Sequence, residues 1–264
     1  MFKLNEQNYY KIENLVLETN YDIIWINSIL NQRQKGIIYV DNLNNPKTAI
    51  IWHKCKNAII LGKFNLDVFK NLKLLLNKSY LNNQNDFALS VIEKSWESHI
   101  DNFIANSNTI IHKYKRYKFK LIYEKYFKFK ESINTNFENT NIIKINTNIY
   151  NKINFKYMPD LYWNSKNDFL KNGFGFCIYF DKNYVSIAFS GFLEDHKCDI
   201  GVETLNNYKG KNYATLVSTK LIDYCIQNSI EPIWSCRSDN IASIKLANKL
   251  GFEYKNDFAY YVSE

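Results

Sequence analysis

The chain has 264 residues, a length for one large domain or two small ones, and 46% of them are hydrophobic and 16% aromatic. Eight glycines and three prolines are too few for extended disorder, so most of the chain can fold around a substantial core. The net charge of +8 favours anionic ligands, nucleic acids or anionic membranes without choosing among them, and a solvated lysine-rich surface explains it equally well.

The five cysteines, Cys55, Cys177, Cys198, Cys225 and Cys236, are scattered, and none forms a Cys-x-x-Cys pair. Their odd count and apolar neighbours predict buried free thiols in a reducing compartment. MFKLNEQNYY lacks the apolar core of a signal peptide, and no later run is long enough to cross a membrane. The expectation is a cytoplasmic protein without membrane partners.

Asn8 to Leu30 reads as helical. Short strands follow at Gly36–Asp41, Thr48–Trp52 and Ala58–Leu61, spaced as an antiparallel meander with turns at Asn42–Pro46 and His53–Asn57. Phe64–Leu76 is a predicted helix, Phe87–Val91 a strand and Ile92–Ala105 a helix around Trp96. Within Ile110–Tyr123, Tyr117, Phe119 and Leu121 alternate with Arg116, Lys118 and Lys120, a period of two that predicts a strand with one apolar and one basic face. A basic, aromatic-interleaved surface suits nucleic acid. A half-exposed strand with lysines guarding its edge is the reading preferred here, because the aromatics share the face opposite the cations.

Glu124–Tyr150 is polar and poorly patterned, which predicts a domain boundary or a crossover helix. The division expected is an α+β domain over 1–125 and a second domain over 126–264. Asn167–Leu170 opens a short helix; strands resume at Phe174–Phe180 and Tyr184–Leu193, with turns at Asp181–Asn183 and Glu194–Lys197. The richest stretch runs from Ile200 to Phe252. A β-rich run (Ile200, Val202, Thr204) enters a polar loop, Asn206–Lys211, which opens an amphipathic helix with Ala214, Val217, Leu221 and Cys225 on its apolar face. Pro232 is expected to stop that helix, Ile233–Cys236 to form a strand, and Ser238 or Asp239 to cap a second helix ending before Gly251. Tyr254–Val262 reads as a terminal strand pair turning at Asn256–Asp257. Strand, polar loop and helix start place four unpaired N–H groups and the positive end of a helix dipole at one point, which suits an anion.

The segment YKGKNYAT resembles the pyrophosphate loop of the GNAT N-acetyltransferase superfamily, Gln/Arg-x-x-Gly-x-Gly/Ala, and DNIASIKLANKLGF resembles the asparagine-bearing helix and closing Gly-Phe of the same fold. In this register Lys209 stands at the Gln/Arg place, Asn212 at the central glycine and Ala214 at the last small residue. Lysine keeps the charge, and asparagine is the non-glycine residue that best tolerates left-handed backbone. NGFGFCIYF, SIAFSGFLEDHKCDIGVET, EPIWSC and GIIYVDNLNNPKTAIIWH are similar to a bacterial branch that includes zwittermicin-resistance-like acetyltransferases, in which an N-terminal region precedes the GNAT domain.

The resemblance implies a mixed, mostly antiparallel sheet flanked by helices, an α+β fold, preceded by a smaller N-terminal domain that is a candidate degenerate copy. It implies acetyl-CoA as cofactor and a small-molecule primary amine as acceptor, and no metal. Lys209, Gly210, Lys211, Asn212, Tyr213, Ala214 and Thr215 would hold the pyrophosphate. Val202 and Thr204 would pair with the pantetheine amides, with Asn240 and Ser243 nearby. Asp199 and Glu203, on one face of their strand, are the candidate general bases; Glu203 is preferred for its longer side chain next to Thr204. Glu194 and His196, in the preceding turn, could relay a proton. Many relatives carry a tyrosine acid where this chain has Ala247. That departure keeps a second function open, a non-catalytic acyl-CoA-binding module. A third is an RNA-directed protein using Lys113–Lys130.

Overall fold

The computed structural model describes residues 1–19, 21, 23–81, 87–108, 110–133 and 141–263. In chain order the first elements are β1 (Phe2–Lys3), a 3-10 turn (Glu6–Ile12), α1 (Glu13–Leu17), α2 (Ile24–Leu30), β2 (Gly36–Val40), β3 (Thr48–His53), β4 (Asn57–Gly62), α3 (Leu66–Leu81), β5 (Ala88–Val91), α4 (Lys94–Ala105) and β6 (Ile111–Leu121). The helical reading of Asn8–Leu30 holds as short pieces, with Asn20 and Asp22 outside the described residues. The polar stretch after Tyr123 yields α5 (Tyr123–Ser132), β7 (Asn141–Lys144) and α6 (Thr147–Tyr150), with 134–140 outside the described residues. Then come α7 (Lys166–Asn172), β8 (Gly175–Phe180), β9 (Asn183–Glu194), β10 (Lys197–Thr204), α8 (Tyr213–Gln227), β11 (Glu231–Arg237), α9 (Ile241–Lys249) and β12 (Phe252–Ser263).

The chain forms two compact units, Met1–Arg116 with Arg237–Asp239 and Asp257–Glu264, and Tyr117–Cys236 with Asn240–Asn256. In the first, β2, β3 and β4 form the expected antiparallel meander, and β5 pairs parallel to β4 after the α3 crossover. The last part of β12 lies antiparallel to β5. Its core gathers Ile50, Ile60, Leu72, Leu89, Trp96 and Tyr261.

The second unit repeats that plan. β8, β9 and β10 are antiparallel neighbours, and β11 is parallel to β10 after the α8 crossover. Both hairpin turns are tight: Asp181 and Lys182, then Asp195 and His196, have positive φ at adjacent positions, as right-twisted strands prefer. One face of the sheet carries Phe119, Cys198, Ile200, Trp234 and Cys236 against α5, α8 and α9. The other carries Ile187 and Phe189 against the segment from Ile145 to Phe169. The Phe189 ring lies across β10 at Gly201, where a Cβ would come within 2.6 Å of it.

Four local expectations are corrected. Pro232 does not end α8, which stops at Gln227; it sits near the start of β11, where a missing N–H is tolerated. Asn240, not Ser238 or Asp239, caps α9, its Oδ1 accepting the Ser243 N–H at 3.1 Å. Asp239 is instead held by Arg237. β12 is one continuous strand rather than a pair with a turn at 256–257, and the Asp257 carboxylate is held by Lys115 instead of closing a turn. Finally, β6 is not an edge strand: it lies beside β11, and Lys118 on its basic face is buried.

Candidate functional site

The site is built where β10 runs into α8. Lys209, Gly210, Lys211 and Asn212 are exposed, and Asn212 takes φ 63° and ψ 7°, the left-handed conformation that an asparagine at this place would need. As the N-cap of α8 it makes no side-chain bond to its own helix; its Oδ1 accepts from Lys249 Nζ at 3.0 Å. The first-turn N–H groups of α8 are thus left without a side-chain cap, and Lys209, Lys211 and Lys249 supply cations around them. Tyr213 is buried against Phe180 and Tyr208, while Ala214 is half-buried and Thr215 buried.

β10 and β11 pair over only three positions, Lys197–Glu231, Cys198–Pro232 and Asp199–Ile233. Both strands continue, β10 to Thr204 and β11 to Arg237, so they fork after Asp199. The backbone edge of Ile200–Thr204 facing β11 is left outside that ladder, including Val202 and Thr204. The Thr204 hydroxyl itself bonds Ser186 Oγ at 2.7 Å. On the far side of the fork, Ser243 Oγ accepts the Trp234 indole N–H at 3.0 Å, and Asn240 is occupied in capping.

The first unit offers a control. There the corresponding helix, α3, is capped by Asn65, whose Oδ1 accepts from both Asp67 N (3.0 Å) and Val68 N (3.1 Å), and Asp67 adds a carboxylate to its first turn. β5 is paired with β4 along its whole length. That helix start is closed, and β4, the counterpart of β10, runs only two residues, Leu61 and Gly62, past its ladder.

Period-two alternation puts Asp199 and Glu203 on the β10 face opposite Cys198, Ile200 and Val202. Asp199 meets two groups sequence reading passed over. Ser235 on β11 donates its hydroxyl at 3.2 Å, and the Lys118 ammonium from β6 lies 3.9 Å away. The Lys118 and Asp199 side chains are 8% and 13% exposed. Glu203 accepts the backbone N–H of Lys156 at Oε1 (3.2 Å) and of Tyr157 at Oε2 (2.7 Å). Ala247 is fully buried in the core. Glu194 is buried at the end of β9 and His196 exposed in the turn beyond it.

The profile of the GNAT acetyltransferase family matches residues 13–261. The chain belongs to the GNAT acetyltransferase family. As a family member it is an enzyme of acetyl transfer, and the family generally uses acetyl-CoA. It is 25% identical to an uncharacterised N-acetyltransferase, YdfB, of Bacillus subtilis (strain 168), over 99% of this chain and 98% of that one. The fold is shared with a GCN5-related N-acetyltransferase-like protein of Streptococcus suis 89/1591, at a TM-score of 0.75, 21% identity and coverage of 97% and 100% of the two chains. It is also similar to a tandem GNAT protein from the clavulanic acid biosynthesis pathway, at 0.62 and 10% identity over 100% and 98%. Among the described residues no helix is long and apolar enough to cross a membrane.

Proposed function

We propose that the chain is an acetyl-CoA-dependent N-acetyltransferase that moves an acetyl group directly to a primary amine of a small molecule. One observation carries this reading: the uncapped start of α8 and the five-residue edge of β10 beyond its ladder occur side by side in one unit, while in the other the helix start is capped and β4 runs only two residues past its ladder. The residues present fit the cofactor's chemistry. N–H groups of the Tyr213–Thr215 turn, with Lys209, Lys211 and Lys249, suit its phosphates. The β10 edge at Val202 and Thr204 suits the pantetheine amides, which would add to it as an extra strand. Acetyl-CoA supplies an activated acetyl group as a thioester. The protein's own tasks are to hold the arm, to present backbone N–H groups to the carbonyl oxygen, and to take a proton from the incoming ammonium. Asp199 and Glu203, on one face of β10, are the carboxylates beside the fork that can take it.

Included in the reading are membership of the zwittermicin-resistance-like branch, a division into an N-terminal α+β domain over 1–125, a candidate degenerate copy, and a GNAT domain over 126–264, and residence in the cytoplasm. The repeated element order and the free cysteines support the last two. Nucleic acid as partner loses ground. In the basic stretch Lys113 pairs with Glu97 and Asp101, Lys115 with Asp257, Lys118 with Asp199, Lys125 with Glu253 and Lys130 with Asp223. Cations already matched to carboxylates have less to offer phosphates.

The test is release of free thiol from acetyl-CoA in the presence of a panel of small primary amines. Amine-dependent release is expected. Tight binding of acetyl-CoA with no release for any amine would count against transfer to small molecules.

A further inference from the structure

Asp199 and Glu203 share a strand face, yet their surroundings differ in what they allow a proton to do. Both Glu203 oxygens are taken by consecutive main-chain N–H groups, those of Lys156 and Tyr157. The segment that carries them is anchored by the buried side chains of Ile153 and Phe155. A backbone N–H can only donate. If Glu203 took a proton, it would lose the charge that strengthens both bonds, and its hydroxyl oxygen would become the weaker acceptor for one of these donors.

Asp199 is placed differently. Ser235 faces it from β11 with a hydroxyl, Lys118 from β6 with an ammonium, and Phe192 is its register partner on β9; Cys198 precedes it on its own strand. A hydroxyl can donate or accept, so a proton arriving on Asp199 requires Ser235 only to rotate. Asp199 also stands at the last paired position before the fork, where the backbone edge becomes available.

We infer that the two carboxylates divide the work: Asp199 accepts the proton of the incoming ammonium, and Glu203 is a positioning residue that clasps the Lys156–Tyr157 segment to the strand beside Val202 and Thr204. This rests on the N-acetyltransferase reading. One ammonium proton passes to an Asp199 oxygen and then to solvent. The nitrogen lone pair so freed forms the N–C bond as the C–S bond breaks, and the second nitrogen proton ends on the released thiol. Lys118, 3.9 Å away, matches Asp199 while it is ionised and favours the onward loss of the accepted proton to solvent.

The experiment uses the full chain with Glu203→Ala, Glu203→Gln and Asp199→Asn, and propylamine as a plain ammonium probe. Hydrogen exchange at the Lys156 and Tyr157 amides, acetyl-CoA affinity and the pH dependence of thiol release are measured. Glu203→Ala should expose both amides and, if it changes turnover at all, raise KM for the amine rather than lower kcat, the pattern of lost positioning. It should leave the acidic limb of kcat in place. Glu203→Gln, with one acceptor oxygen for two donors, should keep protection at one amide. Asp199→Asn should lower kcat by about 10²–10⁴ and flatten the limb while the amides stay protected. Unchanged exchange in Glu203→Ala overturns the clasp, and this measurement needs no amine. A limb flattened by Glu203→Gln but not by Asp199→Asn reverses the assignment. Failure of the wild-type chain to bind acetyl-CoA would strike the underlying function instead, and the division of labour with it.

Discussion

Asn212 costs the chain a left-handed residue, which for most side chains is about 1–2 kcal/mol uphill, and spends its side chain on Lys249 rather than on its own helix. Both choices make sense if the helix start is kept for a ligand. The neighbouring Ala214 is the sharpest probe of that idea. Ala214→Asp places a carboxylate among the free N–H groups, where the helix tolerates it but a pyrophosphate does not. Like charges a few ångströms apart repel by roughly 4 kcal/mol at an effective dielectric near 20. Acetyl-CoA affinity should fall at least tenfold in a titration, with the melting temperature of the free protein little changed. The loop was legible in the sequence because Lys-Gly-Lys-Asn-Tyr-Ala is contiguous. The setting of the two carboxylates was not. Glu203 looked the better base for its length and its nearness to Thr204, but its donors lie 46 and 47 residues away, and Ser235 is 36 from Asp199.

A second residue-scale consequence lies in the first unit. His53 is 3% exposed; its Nδ1 accepts the Cys55 N–H at 3.0 Å and its Nε2 meets Gln34 Oε1 at 3.2 Å, so the neutral ring is fully bonded. Burial, helped by the Lys54 cation, lowers its pKa from 6.5 to about 3. Unfolding frees the ring to take a proton, so this contribution to stability is present above pH 6.5 and lost as the pH falls toward 3. The slope is about 1.4 kcal/mol per pH unit within that window. Denaturant melts from pH 7 to 4 should show it, and His53→Gln should remove that part of the slope whatever its absolute stability.

At the scale of elements, α9 holds one wall of the fork, and its start depends on Asn240. Asn240→Ala should remove the Oδ1 bond to Ser243 N and destabilise the protein by about 1 kcal/mol in a denaturant melt. Because Ser243 also receives the Trp234 indole, acetyl-CoA binding should weaken with it. The existence of α8, β11 and α9 could be read from periodicity. Their ends could not. A proline is a strong stop signal in isolation, yet the chain tolerates Pro232 at the beginning of a strand whose partner is parallel. Ser238 and Asp239 are good caps by type, but Arg237 takes the Asp239 carboxylate with two bonds, and the cap passes to the next residue. β12 misled for a related reason: Asn256–Asp257 has turn chemistry, but Lys115 pairs with the Asp257 carboxylate and the strand runs on. Tertiary partners decided each of these boundaries.

Over the whole molecule, the same succession appears twice: three antiparallel strands, a crossover helix, a parallel strand, a second helix and a last strand. The sequence shows no repeat, because the shared plan is kept by apolar periodicity alone while the residues at the helix starts differ. Those differences decide function. Asn65 and Asp67 close the first helix start; Asn212, turned toward Lys249, leaves the second open. The central claim is therefore quantitative, and calorimetric titration of the full chain with acetyl-CoA tests it most directly. The account predicts saturable binding at one molecule per chain, abolished or weakened at least tenfold by Ala214→Asp and unaffected by Asn65→Ala. No heat with a folded protein, binding that survives Ala214→Asp intact, or two equivalents per chain would contradict it.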